Sequence, residues 1–468
     1  MSKECEESVQ IYNRYKTYNG DAESPAASAA SANGVFSDCK ESIVEVSGGR
    51  NHKGLTMGMG AMFLIGEMAG AGVLNLPSAI LNTGWAGVPM MVVLCGAVGY
   101  TGTRLALCWV IVEERWEEYR APCRRPYTVI ARQALGRPGQ IVTEVALFVT
   151  LFGAGTVYLL LVSQQIHDLL YQLVPSLSQC AWTLIIGLII TPFTWLGTPK
   201  DFWPASVLAV TSTFLACLVV LSEVIIEKDL HPFPEYPNPS FNSFFLGFGS
   251  ILFSLGGASI FPTIQNDMKD RSQFPHSVVI TFLVLLGLYL PVSIISYGIL
   301  GSQGIKENIM QSVSGKAVII AQVFLLCHFL FAFTIVVNPV YQTIEGILNL
   351  PNELGIRRCL LRTGLMMAIV VTGLAVPEFS KILDLIGGST ITLLSFVLPA
   401  LCYMRLCALP GPDGLPHRKL RRWEMVLLYA IVAVGLAGGV ASTWSALVGI
   451  LSPKSFSTTC FSSSAFLS

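Results

Sequence analysis

The sequence predicts an all-α polytopic membrane protein of eleven transmembrane helices, on three observations. Of its 468 residues, 53% are hydrophobic and only 12% charged, with mean hydropathy +0.62; soluble domains are about one-quarter charged. Eleven apolar stretches approach the ~20 residues that a helix needs to cross a bilayer. Two of these stretches, five spans apart, carry glycine and proline where a plain anchor would carry leucine. Formal net charge is zero, so nothing in the charge balance calls for a nucleic-acid partner.

Residues 1–53 come first: a Ser-, Ala-, Asn- and Glu-rich tail, expected to be disordered and cytosolic, with no cleavable leader. The spans follow at 54–81, 85–112, 139–168, 180–197, 203–226, 243–264, 276–299, 316–340, 361–378, 382–405 and 425–450. Each must be helical, because lipid leaves no backbone group unpaired without cost. The ninth and tenth nearly touch, parted by a tight turn at "VPEFSKI". With the N-terminus inside, the cytosolic loops hold seventeen Lys and Arg residues, and the outer loops with the C-terminal end hold five. That bias sets the N-terminus cytosolic and the 451–468 tail outside.

The twelve cysteines do not read as a disulfide framework. Most lie in apolar stretches as small hydrophobes. Cys180 and Cys460 could both face outward, but the pattern alone does not call for a bridge.

The two interrupted stretches open the chemistry. The first, "GEMAGAGVLNLP", has Gly66, Gly70, Gly72 and Pro77; the sixth, "LGFGSILFSLGGASIFP", has Gly247, Gly249, Gly256, Gly257 and Pro262. Glycine costs a helix roughly 1 kcal/mol against alanine and proline about 3. Close packing alone explains part of this, since Gly66 and Gly70 have G-x-x-x-G spacing. Position favours a break. The two stretches begin two five-span blocks, 54–226 and 243–405, and an odd block length inverts the second block relative to the first. Matched interruptions in inverted halves mark a substrate site. A broken helix frees N–H groups that suit a carboxylate and carbonyls that suit an ammonium or metal cation. Together they fit an α-amino acid, with candidate substrate contacts Gly70, Ala71, Gly72, Val73, Phe253, Ser254, Gly256, Gly257 and Ala258.

"FLIGEMAGAGVLNLPSAILNTGW", "TPKDFWP", "ILFSLGGASIFPTIQNDM" and "FAFTIVVNPVYQ" resemble the amino acid/auxin permease family, over about residues 54–450. The resemblance implies the leucine-transporter-like fold, two inverted five-helix repeats plus the additional helix 425–450. It also implies secondary-active amino acid transport. In sodium-coupled relatives an asparagine in the first segment and a threonine in the eighth are implicated in cation binding. The matching positions here are Gly66 and Ala332, with Thr334 two residues on; neither Gly66 nor Ala332 has a side-chain oxygen to give Na⁺.

A charged group at mid-membrane costs roughly 2.5–3.5 kcal/mol on insertion scales, so each is a candidate for function. Glu67 is the foremost, as carrier or sensor of a coupling proton, against a purely structural carboxylate. His328 is a second proton candidate, against a hydrogen-bonded core histidine. Arg104 is expected to snorkel or to pair with Glu67 or Glu144. Phe253 and Ser254 are placed to line a side-chain pocket, and Asn338 to satisfy backbone freed by Pro339. No metal-ligand spacing, phosphate-binding loop or nucleophile elbow is present. The expectation is therefore a non-enzymatic, proton-coupled carrier of a small neutral amino acid, without cofactor, in a plasma, lysosomal or vesicular membrane. The alternatives are an amino acid sensor and a sodium-coupled carrier.

Overall fold

A computed structural model describes residues 54–120, 123, 125–195, 203–230, 233–350, 355–410, 418–452 and 460–461. The tail 1–53, the "TPKDFWP" motif up to Asp201–Phe202, and most of 451–468 lie outside these residues.

The described chain is helical. In order it forms α1 (Met57–Met68), α2 (Ala71–Thr83), α3 (Gly87–Arg115), α4 (Pro126–Leu170), α5 (Gln179–Trp195), α6 (Trp203–Ile226), α7 (Phe241–Ser254), α8 (Phe261–Asn266), α9 (Phe274–Gly304), α10 (Lys316–Ile347), α11 (Ile356–Ala375), α12 (Phe379–Ile386), α13 (Leu398–Ala408) and α14 (Arg422–Ile450). Two π-helical stretches, Gly387–Ile391 and Leu393–Val397, carry α12 into α13. Among the described residues, eight helical runs are long and apolar enough to cross a membrane, the longest being Ala71–Arg115 and Pro126–Leu170. The shorter apolar helices are α1, α5 and α7.

Helix boundaries follow local chemistry. Thr56 caps α1, its hydroxyl accepting from the Met59 N–H, and Ser240 caps α7 in the same way. Pro262 and Pro275 fall in the first turns of α8 and α9, where a missing N–H costs nothing. The α4 helix begins thirteen residues before the span expected from 139. Its first turns belong to a polar segment that hydropathy passes over. Gly136, at φ 73°, bends the chain just before Pro138. The turn between the ninth and tenth spans falls at Val376–Glu378, where "VPEFSKI" puts it.

Three contacts lock the helices together. On the Thr56 face, the N–H of Leu55 donates to the Asp267 carbonyl at 2.8 Å and the Lys269 N–H to the Leu55 carbonyl at 2.9 Å. This ties the start of α1 to the end of α8. On the same face, fully buried Arg362 of α11 donates to Glu345 of α10 at 2.6 Å and to the Thr194 carbonyl of α5 at 2.5 Å. On the opposite face, Cys180 and Cys460 form a disulfide, against the sequence expectation, and the Cys460 N–H donates to the Leu374 carbonyl at 3.0 Å. Spacing could not reveal this pair because 280 residues separate its members.

Arg104 is corrected too. Its Nε lies 3.4 Å from Glu424 of α14, and its guanidinium sits over the rings of Tyr100 and Tyr403. Glu67 and Glu144 are not its partners.

Candidate functional site

The first apolar stretch breaks between α1 and α2, at Ala69–Gly70, and the sixth between α7 and α8, at Leu255–Ile260. Each break frees backbone groups inside the protein, and three hydroxyls face them. Tyr289 of α9, itself fully buried, directs its hydroxyl to the Met68 carbonyl at 3.0 Å and the Ser254 carbonyl at 3.1 Å. Thr213 of α6 donates to the Ala69 carbonyl at 2.6 Å. The Tyr158 hydroxyl of α4 faces the Ala71 N–H, at the start of α2. The ends of α1 and α7 thus present carbonyl oxygens, and the start of α2 presents N–H groups with the positive end of a helix dipole.

The nine residues expected to touch substrate all gather at these breaks, packed against one another and their neighbours. A Cβ on Gly70 would fall 2.6 Å from the Tyr158 hydroxyl, and one on Gly72 2.6 Å from the Ser254 Cα. Gly256 abuts Ile391, and Gly257 abuts Met68 and Phe261. Ala71, Val73, Ser254 and Ala258 are buried, while Phe253 is partly so. These glycines permit the close approach of the two broken segments, which leaves no room for a side chain at Gly72.

Directly beside the breaks lies a cavity of about 590 Å³. Its wall includes Gly66, Glu67, Ser259, Ile260, His328, Ala332 and Asn338, and it extends past Glu144 to Arg125 and Asp267, toward the Thr56 face. Both proton candidates therefore face the same space. The Glu67 carboxylate makes no hydrogen bond or ion pair among the described residues. His328 is buried, with Nδ1 3.3 Å from the Thr213 hydroxyl. Because that hydroxyl already donates to Ala69, the contact fits an Nδ1–H donating to the threonine oxygen. Nε2 has no well-formed hydrogen bond, although the Gly66 carbonyl lies nearby. Thr334 spends its hydroxyl on the Leu330 carbonyl of its own helix, at 3.1 Å. Asn338 lines the cavity as well.

Asp267, where the chain leaves α8 for the cavity mouth, is raised above the ordinary carboxylate range by burial, with Arg271 opposing. Sequence reasoning missed Tyr289, Thr213 and Tyr158, since a hydroxyl in an apolar helix carries no positional signal. It also missed Asp384, although the rule that singled out Glu67 applies to it: an acid within an apolar stretch.

With this geometry in hand, comparison with known proteins is decisive. The family model for transmembrane amino acid transporter proteins matches residues 53–448. The chain belongs to that family. It is a family of transporters, not of enzymes. Among curated members of known name, this transporter is similar to three from Arabidopsis thaliana. They are amino acid transporter AVT1D (25% identical, covering 81% of this chain and 67% of the relative), AVT3C (24%, 83% and 89%) and ANT1 (25%, 83% and 91%).

Among solved structures the transporter is similar in fold to a mutant of the Eremococcus coleocola manganese transporter (TM-score 0.54, 13% identity, 86% of this chain and 89% of that one). It is similar too to Mhp1, a nucleobase-cation-symport-1 family transporter in a closed conformation with bromovinylhydantoin bound (0.53, 15%, 87% and 96%). MhsT in complex with L-phenylalanine gives 0.53 at 13% identity, covering 82% and 98%. These likenesses give the transporter a leucine-transporter-like fold.

Proposed function

We propose that this transporter moves a small neutral α-amino acid by alternating access, driven by protons. The eleven helical segments act as transmembrane spans, in two inverted five-helix repeats (54–226 and 243–405) with 425–450 added. The substrate carboxylate sits at the start of α2 beside Tyr158. Its ammonium is held by the carbonyls at the ends of α1 and α7. Gly70 to Val73, Phe253, Ser254 and Gly256 to Ala258 supply the surrounding contacts. A charge-matched cradle of this kind uses fixed backbone dipoles, which need no reorganisation when the ligand arrives.

The observation that carries the reading is the convergence of both breaks on one hydroxyl, Tyr289, beside a cavity that holds an unpaired carboxylate, Glu67. Glu67 carries the coupling proton and His328 assists. Protons are favoured over Na⁺ because Gly66 and Ala332 supply no side-chain oxygen and Thr334 is engaged within its own helix. The structure corresponds to a state open toward the Thr56 face.

The basic loops and the Cys180–Cys460 bridge support one orientation, since disulfides persist in oxidising compartments. The Thr56 face and the 1–53 tail are cytosolic, and the 451–468 end is not. A plasma membrane or a lysosomal or vesicular membrane satisfies this.

The test is uptake of a panel of labelled L-amino acids into proteoliposomes under imposed H⁺ or Na⁺ gradients. Acid-driven accumulation of one or more neutral amino acids is expected. Binding without accumulation would identify a sensor, and strict Na⁺ dependence would overturn proton coupling.

A further inference from the structure

A second buried acid lies outside the cavity. Asp384 of α12 is 4% exposed and is not among the residues lining the cavity. The Ser250 hydroxyl of α7 donates to it, and Asn75 of α2 donates through Nδ2 to the Ser250 oxygen at 3.0 Å. The chain Asn75–Ser250–Asp384 thus links α2 and α7, the halves of the broken segments remote from the cavity, to α12.

Two fully buried oxygens in this cluster have nothing to accept: Asn75 Oδ1 and Ser442 Oγ of α14. The place a Cβ would take on Gly249 is 2.5 Å from the Asp384 carbonyl and 2.7 Å from Ser442 Oγ, so α7, α12 and α14 meet at one point. The backbone widens into π-helix directly after α12, at Gly387–Ile391, a geometry frequent at functional sites.

Among the described residues no cation faces this acid. α2, α7 and α14 present Asn75, Ser250 and Ser442, and α4 presents Gly153 and Thr150 to the same stretch. The charged group that acts on Asp384 from another element is Glu307, on the connection between α9 and α10. Glu307 in turn is influenced by Ser380 and by the Glu378 carboxyl. Lys381 is engaged by Glu378 at 2.7 Å. A hydrogen bond between two carboxyl groups requires a proton on one of them. A buried carboxylate without a cation is costly until a proton or metal ion neutralises it.

We propose that Asp384 is a second proton-binding site, reached from the face opposite Thr56 through the Glu307–Glu378 carboxyl pair, and that its proton fastens α2 and α7 to α12 while that face is shut. Hydronium protonates the pair and leaves as water. The O–H bond at Glu307 then breaks as one forms at Asp384, with no change in oxidation state. The new O–H adds one donor to a cluster in which the oxygens of Asn75 and Ser442 lack one at present. The inference deepens the proton-driven reading above, but the site itself does not depend on amino acid transport.

The experiment is an infrared titration of the purified full chain in lipid nanodiscs, without amino acid, in choline chloride and then in sodium chloride. Acidification is expected to raise a protonated-carboxyl band that is wholly lost in Asp384→Asn and retained in Glu67→Gln. The Ser250→Ala and Glu307→Gln variants keep the band but move its midpoint, so the site remains testable if Asp384→Asn does not fold. An Asp384→Asn spectrum identical to the parent overturns the proposal. So does a band that sodium chloride abolishes, which would make this a sodium site. Failure of uptake in proteoliposomes, with the band intact, would count against the transport reading alone.

Discussion

The hydroxyl of Tyr289 stands 3.0 Å from the carbonyl oxygen of Met68, at the end of the first broken helix. The same hydroxyl reaches Ser254, at the end of the other, at 3.1 Å. One proton thus serves two carbonyls that no helix satisfies. Tyr289→Phe keeps the ring and removes the proton. It is expected to cost about 1–3 kcal/mol, the range for leaving buried acceptors unmatched, and to lower uptake more than tenfold. Thermal melting and proteoliposome uptake measure the two effects.

Gly72→Ala drives a methyl group to 2.6 Å from the Ser254 Cα. Backbone cannot move aside as a flexible side-chain tip can, so the two broken segments must part. Overpacking of this kind costs about 1–3 kcal/mol. Uptake is expected to vanish while the helix content seen by circular dichroism is unchanged. Gly58→Ala is the control, because a Cβ there meets nothing within 4 Å.

Glu67→Gln keeps the shape of the cavity wall and removes the titrating group. Acid-stimulated uptake is expected to fall to the level seen without a pH gradient, while exchange of labelled for unlabelled amino acid across the membrane continues. Counterflow and net uptake, assayed on the same vesicles, separate the two.

Burial, and then the charge of Glu378, push the Glu307 carboxyl above the ordinary carboxylate range. The folded protein therefore holds this proton more tightly than the unfolded chain does. The stability it contributes is complete below the unfolded value, about 4.3, and is lost as pH rises through the folded value. Melting temperature is expected to fall across mildly acidic pH in the parent and less steeply in Glu307→Gln. Differential scanning fluorimetry at a series of pH values reads this directly.

The Cys180–Cys460 bridge gives orientation a chemical test. On intact cells with the transporter at the surface, a membrane-impermeant reductant followed by an impermeant maleimide should label both cysteines. No labelling until the membrane is permeabilised would reverse the proposed orientation.

The helices were largely legible because hydropathy sums over some twenty residues and tolerates local noise. The breaks were legible for a different reason: Gly70 and Gly256–Gly257 oppose helix so strongly that position alone marks them. Glu67 stood out by its cost in lipid. Tyr289 and Thr213 did not, because a hydroxyl in an apolar helix normally bonds its own backbone, as Thr334 does. What distinguishes them is a partner about 144 to 221 residues away, and one sequence carries no record of such pairings. Asp384 was readable by the Glu67 rule, but it sits near the start of its stretch and passes for an interfacial residue. The early start of α4 went unseen because its first turns are polar.

The short pairing of Leu55 with Met268 has a mechanical consequence. It welds the two stubs nearest the Thr56 face, α1 and α8, at their far ends. A tilt of one must drag the other, so the doorway on that side swings as a single leaf. Under the proposed alternating access, passage of cargo through that side crosses one barrier rather than two, and loosening this weld should turn a concerted motion into two uncoordinated ones.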